Sequence, residues 1–162
     1  MRIGVISDTH ITAKSGGLPL TVLEAFKNVD MIIHAGDMVD LAVLEELKAS
    51  CAQVKAVWGN MDPYEVRAKF PEKEIIEVQG HRIGIIHGWG HPKGLIEVIS
   101  EAFKDDNVEI VIFGHSHRPV NQKSGGIIFF NPGSPTDKLF TDYNSYGIIE
   151  ISDKINATIV KL

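Results

Sequence analysis

Residues 108–119 read VEIVIFGHSHRP, and the reading of this stretch decides the fold. The run VEIVIFG is apolar and rich in Ile and Val, as in a buried strand. It ends on Gly114 and at once delivers two imidazoles, His115 and His117, with one serine between them. In parallel α/β sheets ligand sites gather just beyond the carboxyl ends of strands. The stretch therefore poses a question for the rest of the chain: do other strands end on donors of the same kind?

Working outward, the first half alternates strand and helix. Met1 to Ser7 reads as a buried strand, followed by the Gly-rich loop ITAKSGGLP. LTVLEAFKNV has helical spacing, with Val22, Leu23 and Phe26 on one face. VDMIIHAGD is a second strand. LAVLEELKA is a second helix, with Asp40 as its N-cap. QVKAVWGN is a third strand, and this alternation predicts parallel pairing with helices packed on the sheet.

In the second half, KEIIEVQGHRIGIIHG predicts two strands about a turn at Gln79-Gly80. GLIEVISEAF is helical. PVNQKSGGIIFFNPGS and NSYGIIEISDKINATIVKL each predict a strand pair, turning at Gly125-Gly126 and Asp153-Lys154. The expected fold class is α/β with an α+β-like, four-layer character. It is a two-sheet β-sandwich of mixed parallel and antiparallel strands flanked by helices, parallel first and antiparallel later. One domain over residues 1–162 is expected, and GIIFF is read as an exposed edge strand through which two protomers could pair into a homo-oligomer.

Composition narrows the function classes. Hydrophobic residues make up 44% and charged residues 23%, a globular balance. A net charge of −5 lacks the footprint of a general nucleic-acid binder, yet leaves room for a local anion site beside bound cations. The single cysteine, Cys51, excludes an intramolecular disulfide and fits a reducing compartment. Polar residues follow the first strand too soon for a signal peptide, and no apolar run spans a bilayer. A cytoplasmic protein with no membrane association is expected.

The other strands do end alike. Strand one gives Asp8 and His10, strand two Asp37, strand three Asn60, IGII gives His87, and VIF leads to His115 and His117. Each alone has an ordinary reading as a turn or cap residue. Seven oxygen and imidazole donors at the same relative place in five strands point instead to metal binding. Carboxylate, carboxamide and imidazole without thiolate suit Mn²⁺, with Ni²⁺, Co²⁺, Fe²⁺ or Zn²⁺ also compatible.

In this order, Asp8-Thr9-His10, Gly36-Asp37 with Asp40, Gly59-Asn60, His87-Gly88 and Gly114-His115-Ser116-His117 resemble the calcineurin-like metallophosphoesterase superfamily. The resemblance runs from Ile3 to the NPGS at 131–134, and short length with that last motif resembles the small bacterial and archaeal phosphodiesterase branch. The retromer scaffold subunit of eukaryotes is similar too. The resemblance implies two divalent ions: Asp8, His10, Asp37 and His117 at one, and Asp37, Asn60, His87 and His115 at the other, Asp37 bridging. It implies hydrolysis of a small phosphodiester by in-line attack of a metal-bridging hydroxide, with Asp37, Asn60 and His10 at the reacting centre. The alternatives are a non-catalytic protein-interaction scaffold of this fold, or a phosphomonoesterase.

Two departures matter. Much of the superfamily places a histidine after Gly-Asn to serve the leaving oxygen; here stands Met61, which cannot deliver a proton. Asp62 is the nearest alternative acid, a plain cap before Pro63 being its ordinary reading. The second is HGWGHP, where Trp89 occupies the place of a second family histidine and His91 lies two further on. His34 is read either as a partner orienting a ligand or as a buried strand histidine, and TAKSGGLP as a lid or a solvated loop.

Overall fold

The computed structural model describes residues 1–12 and 14–162, and among these it has ten strands and four helices. In chain order these are β1 (Arg2–Ile6), α1 (Leu20–Phe26), β2 (Met31–Ala35), α2 (Leu41–Ser50) and β3 (Val54–Val57). Then come α3 (Tyr64–Arg67), β4 (Lys73–Val78), β5 (His81–Ile86), α4 (Leu95–Ala102) and β6 (Ile110–Ile112). β7 (Val120–Ser124), β8 (Ile127–Asn131), β9 (Ser145–Ile151) and β10 (Ile155–Lys161) complete the chain.

The strands form two five-stranded sheets, ordered β10-β9-β1-β2-β3 and β4-β5-β6-β8-β7. Alternation along each strand divides the core into three layers. Ile3 and Val5 of β1 face the second sheet and meet Ile33, Ile85, Ile112 and Phe130. Ile6 and Ile32 face the other way, toward Val22 and Phe26 of α1 and Leu44 and Leu47 of α2. Phe129 and Val111 carry the second sheet's outer face onto Ile99 of α4 and onto Phe103. The result is helix, sheet, sheet, helix, as the sequence predicts. Asp40 caps α2, its carboxylate accepting from the Ala42 amide at 2.9 Å. Cys51 ends that helix as a free, half-buried thiol.

Two expectations are corrected. The first sheet is parallel over β1, β2 and β3 and antiparallel where β9 and β10 join it, as expected. The second half, however, is not all antiparallel: the second sheet has a parallel centre and antiparallel margins. β5, β6 and β8 run parallel because α4, and then the antiparallel β7, carry the chain back between strands. GIIFF is not an edge either, since β8 is hydrogen-bonded to β6 on one side and β7 on the other. It offers no free backbone for pairing with a second copy. Sequence reading also passed over α3, a single turn after Pro63. Among the described residues no helix is long and apolar enough to cross a membrane.

Candidate metal centre

The carboxyl ends of β1, β2, β3, β5 and β6 lie at the same end of the sandwich, and the loops leaving them bring all seven predicted donors together. Two groups of ligand-type atoms lie within 4.8 Å of one another: Asp8, His10 and His117, and Asp8, Asp37 and His87. Asp37 Oδ2 stands 3.4 Å from His10 Nε2 and 3.3 Å from His87 Nε2, between the two groups. Asp8 Oδ1 lies 3.5 Å from His117 Nε2 and 3.9 Å from His87 Nε2, so both carboxylates span the cluster. Asn60 Oδ1 adds the far side, 3.2 Å from His87 Nε2 and 2.9 Å from His115 Nδ1.

Backbone geometry is what gathers them. Asp8, His10, Asp37, His115 and His117 all have positive φ, between 44° and 69°. Left-handed conformation costs an L-residue about 1–2 kcal/mol, so five such positions in one cluster mark a built site. Hydrogen bonds hold the strained turns: the Asp8 amide donates to the Gly36 carbonyl at 3.0 Å, and the His115 amide to Asp8 Oδ1 at 3.1 Å. Close approach matters as well. A Cβ at Gly59 would collide with the Asp37 carboxylate, and one at Gly114 would lie 2.7 Å from Asp8 Oδ2.

Three imidazoles are oriented through the nitrogen that faces away from the cluster. His87 Nδ1–H donates to the Ala35 carbonyl at 2.8 Å, and His115 Nε2–H to the Gly90 carbonyl at 2.7 Å. His117 Nδ1–H donates to Asp137 Oδ2 at 2.9 Å. Each bond fixes the tautomer and aims the remaining lone pair into the cluster, the arrangement a metal-ligating histidine requires. Oxygen and imidazole donors so presented fit a divalent transition ion. Asp137 is a site residue that sequence reading missed.

The electrostatics agree. Burial pushes the Asp8 carboxyl above the ordinary range, against the opposing charges of His87 and His117. Burial also works to raise Asp37, but the His87 hydrogen bond and charge, the Met61 amide and His10 together hold it low. Burial alone would lower His87; the Asp37 hydrogen bond and the Asp8 charge outweigh it and push His87 up to about 9. Asp8 and Asp37 are both almost fully buried, and within 4 Å their ionic partners among the described residues are imidazoles alone. The cluster attracts positive charge that the chain itself does not supply as lysine or arginine.

The remaining predicted residues separate clearly. Asp62 accepts from the backbone amides of Gly59 at 2.7 Å, Asp37 at 3.0 Å and Val39 at 2.6 Å. It is a buried clamp between two site loops rather than a cap of α3, which has no side-chain cap. His34 is fully buried, accepts from the Gly36 amide at 3.2 Å and meets Thr9 Oγ1 at 3.2 Å; burial lowers it to about 3, so it stays neutral. It braces two site turns and, among the described residues, hydrogen-bonds to no candidate ligand. Met61 holds Asp37 Oδ1 through its amide at 2.7 Å while its side chain stays exposed at the cavity rim. Trp89 and His91 lie outside the 770 Å³ cavity that opens over the cluster. Of TAKSGGLP, Ser15, Gly17 and Pro19 line that cavity; Lys14 does not, and Ala13 lies outside the described residues. NPGS is a buttress: Asn131 Nδ2 donates to the Gly114 carbonyl at 2.7 Å and Ser134 Oγ to the Asp8 carbonyl at 2.7 Å.

Comparison with known proteins places this geometry. Residues 1–154 match the profile described as the calcineurin-like phosphoesterase superfamily domain. The chain belongs to that superfamily. A probable metallophosphoesterase of Methanocaldococcus jannaschii is 39% identical over 163 residues, spanning 100% of this chain and 82% of that one. The solved structure of an archaeal phosphodiesterase superposes on this phosphoesterase domain with a TM-score of 0.81 at 26% identity, covering both chains completely (100%). Vps29 from Entamoeba histolytica, solved in complex with Zn²⁺, gives a TM-score of 0.79 at 24% identity over 99% of each chain. That last likeness is one of fold.

Proposed function

We propose that the protein is a phosphodiesterase working with two divalent metal ions. The observation that carries this reading is the Asp37 carboxylate, set between His10 and His87 at the floor of an open cavity and flanked by four further donors. Asp8, His10, Asp37 and His117 would hold one ion, and Asp37, Asn60, His87 and His115 the other. When bound, such ions act as Lewis acids on phosphoryl oxygens and make water nucleophilic at neutral pH. The chain's own part is positioning. Ala35, Gly90 and Asp137 fix three imidazoles, and the Met61 amide fixes Asp37. Asp37, Asn60 and His10 stand where a phosphoryl group entering the cavity would react.

Neither Met61 nor Asp62 is placed to protonate the leaving oxygen: Met61 has no proton to give and Asp62 is occupied by three amides. General acid catalysis is worth roughly 10²–10⁴-fold. A small diester with a good leaving group, such as an aryl phosphodiester, is therefore the preferred substrate over an alkyl monoester. Mn²⁺ is the expected ion.

The test is hydrolysis of bis(p-nitrophenyl) phosphate against p-nitrophenyl phosphate by chelator-treated protein, with Mn²⁺, Ni²⁺, Co²⁺, Zn²⁺ or Mg²⁺ restored and Asp37→Ala as control. The expected result is metal-dependent diester cleavage that the substitution abolishes. Faster monoester cleavage would make the protein a phosphomonoesterase. Folded but inert protein would favour a docking module of the same fold, a reading that Leu139 and Phe140, 84% and 61% exposed at the cavity rim, also suit.

A further inference from the structure

Behind the cavity over the metal centre lies a second one of 700 Å³. The two share His115, His117 and Phe140 as a common wall, so a molecule reacting in the first reaches the second without leaving the protein surface. The second cavity differs in charge. Lys93, Arg118 and His91 line it, and no carboxylate does. In a chain with 16 Lys and Arg against 21 Asp and Glu, a groove of wholly cationic and neutral lining is a local reversal of sign.

These groups are also chemically available. Among the described residues neither Lys93 nor Arg118 has an ion-pair partner within 4 Å. Arg118 donates through Nε to the Phe140 carbonyl at 3.1 Å, which anchors the guanidinium and leaves its two terminal nitrogens without a partner among those residues. A guanidinium held in this way presents the fork that grips an oxyanion through two parallel hydrogen bonds. His91 Nδ1 accepts from the Lys93 amide at 3.1 Å, so the ring proton resides on Nε2 and the imidazole is a donor even when neutral. His115 ties this groove to the centre, its ring reaching from Asn60 to the Gly90 carbonyl at the root of the His91–Lys93 loop.

We propose that the groove is a subsite for a second phosphoryl group, and that the substrate class is a small phosphodiester carrying another phosphate about one sugar away. The inference rests on the phosphodiesterase reading and adds the part of the substrate that does not react. Remote binding of this kind positions the scissile phosphate over the metal centre. It also reconciles an acidic chain with an anionic substrate, because this groove sets two cationic side chains without ion-pair partners beside the candidate metal centre.

The experiment compares two chromogenic diesters on the metal-loaded protein: thymidine 5′-(p-nitrophenyl phosphate), and the same ester bearing a 3′-phosphate. The 3′-phosphate is expected to raise kcat/KM about tenfold, mainly through KM, by charge-assisted hydrogen bonds. In Lys93→Ala/Arg118→Ala that ratio falls to near one; taking a ratio cancels any general loss of activity. In chelator-treated protein, inorganic pyrophosphate titrated calorimetrically binds at least threefold more weakly to the double variant than to the wild type. A ratio near one in the wild type, or one unchanged in the double variant, overturns the proposal. Bis(p-nitrophenyl) phosphate has no second phosphate, so its hydrolysis in the same preparation separates failure of this subsite from failure of the phosphodiesterase reading.

Discussion

At the scale of single residues, Asp137 has the most specific consequence. It accepts from His117 Nδ1 with one carboxylate and uses the same group to receive the amides of Leu139 at 2.8 Å and Phe140 at 2.9 Å. Burial works to raise its pKa, but those amides and His117 hold the carboxyl below its ordinary range, so it stays ionised beside the imidazole. Removing such a partner typically weakens metal affinity 10–100-fold. Asp137→Ala is expected to show that loss in a Co²⁺ titration against a competing chelator, with Asp137→Asn, which keeps an acceptor, in between; unchanged affinity would reduce Asp137 to a loop anchor. Gly59→Ala places a methyl group against the Asp37 carboxylate and should abolish metal uptake in protein whose circular dichroism is unaltered. The contrast between these residues explains what was legible. The seven donors follow apolar strands, four of them directly beside a glycine, at positions that periodicity identifies. Asp137 lies 20 residues beyond its partner in an irregular loop, PTDKLF, and only the fold brings it to His117.

At the scale of elements, caps and staples carry the testable energetics. Asp40→Ala removes the α2 cap and should cost about 1 kcal/mol in urea denaturation. His81, at the start of β5, bridges the sheets: Nδ1 meets Glu109 Oε2 at 3.0 Å and Nε2 meets the Ser152 carbonyl in the β9–β10 turn at 3.0 Å. Both nitrogens face acceptors, so only the imidazolium donates at both, and the Glu109 bond, followed by Ser152, raises the His81 pKa above 6.5. A raised folded-state pKa gives stabilisation that is complete below 6.5 and lost as pH rises through the folded value. The difference in urea midpoint between wild type and His81→Ala should therefore be larger at pH 6 than at pH 9; a constant difference would show that no protonated staple forms. Most elements were legible because their periods of two or near 3.6 residues are plain in the sequence. Strand order was not: which of β6, β7 and β8 lie side by side depends on how loops such as 113–119 cross the sheet, and no local pattern encodes that.

At the scale of the whole molecule, the candidate centre joins the two sheets. Asp8, His10, Asp37 and Asn60 follow strands of the β10-β9-β1-β2-β3 sheet, whereas His87, His115 and His117 follow strands of the other. The interior between them is apolar and undirected, built from side chains such as Ile3, Ile33, Ile85 and Phe130. Such packing favours close contact without choosing one alignment of the sheets to within the tolerance a set of ligands needs. Directed bonds supply that choice at both ends of β5, through His81 at its start and His87 just past its finish. A cation held by donors from both sheets binds the folded chain and finds no preformed site in the unfolded one. At 100 times its Kd it should stabilise the fold by about 2.7 kcal/mol. The expected observation is an unfolding midpoint that rises with Mn²⁺ concentration, falls on chelation and, in Asp37→Ala, is indifferent to both. A midpoint in the wild type that ignores the metal would mean that the buried carboxylates are satisfied by His87 and its neighbours alone, and that the two sheets are aligned by hydrogen bonds such as those of Ser134 and His81.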